Sequence, residues 1–135
     1  MSLRLNGVLR IEGLTHLMIF GGANDVVLDN RPTRFIGQEL CQMQDKALEC
    51  KIKVACVLPL LTAVVGYEEK FLTLHKELQS ASREGVFLID FQPALKKEEN
   101  SVNYLGDGVH LSVQGNKKIG EYASQYLKSW LLEEV

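Results

Sequence analysis

Cysteine is rare in this sequence and poorly placed for pairing. Cys41, Cys50 and Cys56 are the whole complement. An odd count with no Cys-x-x-Cys pair argues against a disulfide framework and for a reduced, cytoplasmic setting. Charge of one sign is also lacking. The formal net charge is -2, with lysines and arginines spread along the chain, which leaves no basic footprint for nucleic acid or an anionic membrane. The longest apolar run, VACVLPLLTAVV, contains Pro59 and is too short to span a bilayer. Arg4 and Arg10 interrupt every early apolar stretch, so no signal peptide is expected. Prolines number three, and no repeat or low-complexity segment occurs.

What remains is an ordinary globular composition. A chain of 135 residues suits a single domain spanning residues 1–135 and can bury about two-thirds of its extended surface. Three short, nearly continuous apolar runs predict parallel strands covered on both faces: His16 to Phe20, Lys53 to Leu58 and Val86 to Asp90. Helical periodicity fills the gaps. One helix opens at Pro32, a second runs from Tyr67 to Ser82, and a third follows Ser112 as N-cap. The third is expected to bury Ile119, Tyr122, Ala123, Tyr126, Leu127, Trp130 and Leu131. The alternation predicts a layered α/β fold with a parallel sheet. Residues 1–13 are expected to form a hairpin or extended arm, because Asn6-Gly7 lies between short alternating flanks. An amphipathic helix end is the alternative.

Two short stretches carry chemistry. The first, FGGAND, follows the first strand. Ligands bind outside the carboxyl ends of parallel strands. There Gly21 and Gly22 permit a tight turn, and the Asn24 amide can donate to a developing oxyanion. One such donor is worth about 10²–10³ in rate. Asp25 is a candidate to cap the following turn or to brace the loop by accepting backbone N–H groups. The bland alternative is ordinary turn chemistry. The second stretch, DGVH, precedes the last helix. Asp107 stands where it can orient the His110 imidazole, and histidine is the natural general base near neutral pH. The bland alternative is a polar loop with a solvated histidine. Both stretches fall at the same rim of the sheet.

Together they resemble the SGNH (GDSL-type) hydrolases. Gly22, Ala23, Asn24 and Asp25 match that family's Gly-x-Asn-Asp block, and Asp107 to His110 match its Asp-x-x-His block. The resemblance covers the chain from about His16 onward. It implies a three-layer, flavodoxin-like parallel sheet and hydrolysis of acyl or acetyl esters through an acyl-enzyme. His110 would be the base, Asp107 its orienting partner, Asn24 an oxyanion donor and Gly22 part of the oxyanion loop. No metal or organic cofactor is implied.

The departure from the family is at the N-terminal side. Its Gly-Asp-Ser block, with the nucleophile, and the block with a second oxyanion glycine lie well before Gly-x-Asn-Asp. Here only 21 residues precede Gly22, and Gly-Asp-Ser occurs nowhere. Ser2 has no strand before it, and the other serines fall in predicted helices, loops or caps rather than at a strand-to-helix elbow. The nucleophile is therefore unknown and the sheet is expected to be truncated. A triad without its nucleophile retains only about 10³–10⁴ over water. The sequence thus predicts either a weak or inactive hydrolase or a non-catalytic binding module, a pseudoenzyme on the same scaffold. The first strand would be a bare apolar edge, expected to be covered by the N-terminal arm, a second copy or a partner segment. His16, His75 and Cys56 carry no ligand spacing and are expected to be structural.

Overall fold

The computed structural model describes residues 2–27, 29–60 and 64–132. Strands β1 (His16–Ile19), β2 (Lys53–Val57) and β3 (Val86–Ile89) form a parallel sheet in the order β1-β2-β3. Met18 pairs with Ala55, and Ala55 with Phe87. The helices are α1 (Ser2–Leu9), α2 (Ala23–Val27), α3 (Thr33–Glu49), α4 (Glu68–Ser80), α5 (Asn100–Asn103) and α6 (Val113–Leu132).

Alternation along β2 creates the layers. Val54 and Cys56 point to one face and join Leu5 of α1, Ile36 and Leu40 of α3, and Phe71 and Leu74 of α4. Ala55 and Val57 point to the other, where they cluster with Ile89, Phe91 and Trp130 of α6, and Ile119, Ala123 and Leu127 of α6 pack against that cluster. A strand so enclosed has no polar side to show, which is why KVACV is apolar at every position after Lys53. The expected three-layer α/β architecture is present.

The N-terminal segment differs from expectation. It is a helix, not a hairpin or extended arm. Leu5 and Leu9, one helical turn apart, both pack into the α3–α4 side of the core, and that burial outweighs the local turn preference of Asn6-Gly7. Consequently α1 lies on a face of the sheet, and no described strand pairs with the outer edge of β1. Smaller differences are at helix ends and faces. Pro32 sits at the N-cap of α3, one residue before the helix. Tyr126 and Leu131, assigned to the buried stripe of α6, are 44% and 52% exposed.

Ser112 caps α6 as its sequence suggests, accepting the Gly115 N–H at 3.0 Å. The first turn of α6 then meets α5 very closely. A Cβ on Gly115 would lie 2.1 Å from the carbonyl oxygen of Asn103, so only glycine fits. Lys118 ties the same junction together by donating to Asn103 Oδ1 and Glu99.

Candidate active site

The carboxyl ends of β1 and β2 and the loop before α6 enclose a pocket of about 690 Å³, within the range of small-molecule sites. Gly22, Asn24, Asp25 and His110 all line it. Asp107 stands just behind His110. The two motifs, 86 residues apart from Asn24 to His110 (110 − 24), therefore meet at one rim.

Each stretch is shaped locally. At the end of β1, Gly22 adopts φ +107°, with its α-carbon so close to Ile36 and Leu74 that a Cβ would sit 3.3 Å from both side chains. The Gly22 carbonyl accepts the Val26 N–H at 3.1 Å, starting α2 and presenting Asn24 at its exposed first turn. Asp25 does brace the loop, but through a guanidinium rather than backbone N–H groups. Arg31 donates to Asp25 at 3.0 Å and to Glu39 of α3 at 2.8 Å. Those two carboxylates hold the Arg31 pKa above its ordinary value through the bonds they accept, Glu39 first.

The Asp107 loop is built on one carboxylate. Its Oδ1 accepts the N–H groups of Val109 and His110, each at 2.9 Å. Oδ2 lies 2.5 Å from His110 Nδ1. The Leu105 N–H donates to the His110 carbonyl at 2.8 Å, closing the loop. The His110 side-chain bond, then the two backbone bonds, lower the Asp107 pKa to about 2. At neutral pH Asp107 is thus a pure acceptor, Nδ1 must be the donor, and Nε2 is left as the basic nitrogen. Both groups stand in water: the His110 side chain is 67% exposed and that of Asp107 47%.

The sequence did not signal every residue of the pocket. Arg4 enters it from α1, and Tyr104 and Asn116 flank His110. Burial pushes the Tyr104 phenol up. None of these has a motif, and Arg4 reaches the site only because the N-terminus is helical. No serine, threonine or cysteine lines the pocket among the described residues. His75 is held by the Pro59 carbonyl at 3.3 Å, and His16 packs edge-on against Trp130. Burial raises the Cys56 thiol to about 11, an inert core position. Among the described residues no three His, Cys, Asp or Glu side chains are grouped to hold a metal ion, and no helix is long and apolar enough to cross a membrane.

Residues 4–123 match the family model of GDSL-like lipase/acylhydrolase. The chain belongs to that family. No curated protein matches it, but solved structures share its fold. A G-D-S-L family protein from Desulfitobacterium hafniense DCB-2 superposes with a TM-score of 0.78 at 23% identity, covering 92% of this chain and 71% of that one. A GDSL-like lipase from Bacteroides thetaiotaomicron VPI-5482 gives 0.77 at 19% identity, covering 95% and 69%. A carbohydrate esterase family 3 protein from Talaromyces cellulolyticus gives 0.68 at 18% identity, covering 92% and 62%. At these identities the likeness is one of fold.

Proposed function

We propose that this GDSL-family chain acts on small acyl or acetyl esters, and that its turnover by itself is weak. The observation that carries the first half is the Asp107–His110 pair at 2.5 Å, beside a pocket that Asn24 also lines. In this reading a hydroxyl attacks the ester carbonyl while His110 Nε2 takes its proton, and the new oxyanion accepts a bond from the Asn24 amide. Collapse expels the alcohol, which leaves with the proton held by His110. A water then repeats the sequence on the acyl group, releasing the carboxylic acid. Asp107 stabilises the imidazolium in each step without itself being protonated.

The second half rests on the pocket lining, which among the described residues offers no serine, threonine or cysteine. Hydrolysis of a short-chain chromogenic ester, run with a serine-reactive fluorophosphonate probe, tests both halves. Slow turnover that falls to background in His110→Ala, with no labelled serine, is the expected result. Wild-type turnover unchanged by His110→Ala would remove the dyad from the chemistry. Robust turnover with one labelled serine would show that the nucleophile is already present. A second reading, a non-catalytic binding or assembly module, is favoured by the outer edge of β1, which no described strand pairs.

A further inference from the structure

We propose that Arg4 determines the specificity of the pocket, and that the esters taken there carry a second group, an anionic carboxylate. The inference rests on the ester-hydrolase reading above and names the substrate class within it.

The placement of Arg4 follows from the core. Leu5 is buried and Leu9 packs into the same cluster, so α1 cannot roll about its axis. Arg4, the neighbour of Leu5, is thereby set at the pocket that Asn24 and His110 also line. Among the described residues no side chain or backbone group bonds to its guanidinium. The carboxylates nearby are engaged elsewhere. Asp25 is held by Arg31 at 3.0 Å, and Asp107 is spent on His110 and two backbone N–H groups. Asp29 also lines the pocket, exposed and making no described ion pair with Arg4. An anion that enters is repelled by Asp29 and attracted by Arg4, so it has one place to settle.

Size and chemistry select the ligand. A volume of about 690 Å³ holds far more than an acetyl ester. Phe20, Leu60 and Leu111 give it an apolar lining for a short carbon chain. With the ester carbonyl at His110 and Asn24, the rest of the substrate has that lining to lie on and Arg4 to meet. A guanidinium presents a planar fork that matches a carboxylate with two parallel bonds. A neutral ester leaves the fork to water, whereas one bearing a carboxylate gains a charge-assisted pair. That carboxylate can belong to the acyl chain, as in a monoester of a short dicarboxylic acid, or to the alcohol, as in an acetylated hydroxy acid.

The test titrates the full chain, isotope-labelled for NMR, with two pairs of probes. One pair is monoethyl succinate and its neutral isostere ethyl succinamate; the other is acetoxyacetate and its amide. At least one acid is expected to bind about tenfold more tightly than its amide while shifting the His110 and Asn24 signals. That preference should vanish in about 1 M salt and in Arg4→Met. Arg4→Lys should restore part of it, since the charge remains and the fork does not. Arg10→Met is the control, because Arg10 lies just beyond α1 and outside the pocket lining; the preference should survive it. A preference for monoethyl succinate puts the carboxylate on the acyl side, and one for acetoxyacetate puts it on the alcohol side. The proposal fails if neither acid is preferred to its amide, if Arg4→Met keeps the preference, or if Arg10→Met removes it as fully. His110-dependent hydrolysis of acids and amides alike, with no preference in binding, would sink this inference and leave the hydrolase reading standing. Arg4-dependent binding with no His110-dependent hydrolysis of the preferred acid would overturn the hydrolase reading and leave the carboxylate site.

Discussion

The two faces of the sheet are covered very unequally. On one side α1, α2, α3 and α4 enclose, among the described residues, a cluster of thirteen buried ones from Leu5 to Leu78. On the other, α6 is the one described helix, and the described cluster there holds five, from Ala55 to Trp130. The thick side holds the fold together. The candidate site lies at the rim between the two, lined by Arg4, Asn24 and Phe71 from the thick side and by His110 from the loop that runs into α6.

The largest effect should come from the thick side. Leu74 is fully buried, and Leu74→Ala should remove about 3 kcal/mol in urea unfolding. A loss below about 1 kcal/mol would erase the distinction between the faces. Next comes the seat of α6. Gly115→Ala forces a methyl into the Asn103 carbonyl and should cost about 2 kcal/mol, while shifting the His110 resonances in an NMR spectrum. Unmoved His110 resonances would show that the loop does not depend on the α5–α6 junction. Ser112→Ala removes the N-cap of the same helix, an expected loss of about 1 kcal/mol by thermal melting. Smallest is Met18→Ser on the exposed face of β1, expected within about 0.5 kcal/mol of wild type.

Acid offers a further way to probe the thin side. The folded pKa of Asp107 lies below its ordinary 3.8, at about 2. Its bonds to His110 and Val109 therefore contribute fully above the unfolded value and are lost as pH falls from about 4 through 2. Following the Asp107 carboxyl carbon by NMR should give that low midpoint. A midpoint near 3.8 would mean that the loop does not hold its carboxylate.

Much of this was legible in the sequence, and the reason is physical. Strands packed on both faces are nearly continuous apolar runs, so KVACV and VFLI stand out; HLMI reads the same way, yet β1 is covered on one face only and leaves Met18 45% exposed on the other. Ser112 could be read as a cap because caps are local. The Gly-x-Asn-Asp and Asp-x-x-His blocks could be read because turn formers and chemistry-bearing side chains occur together at strand and helix ends. What escaped was set through space. Leu5 and Leu9 turn Asn6-Gly7 into helix only because α3 is there to receive them. Arg31 joins Asp25 to Glu39 across a turn, and Gly115 is obligatory only because the Asn103 carbonyl lies against it. Tyr126 and Leu131 keep helical spacing with the buried stripe, yet α6 is wider than the strip of sheet it covers.

The cysteines, scarce as they are, give the molecule a built-in clock. Cys50 is exposed at the end of α3, while Cys56 lies buried in the central strand with its thiol raised to about 11. An alkylating reagent should modify Cys50 at once and reach Cys56 only when the sheet itself opens. The lag between the two reactions times that opening in the unmutated protein, and any ligand that closes the sheet's open edge should lengthen it.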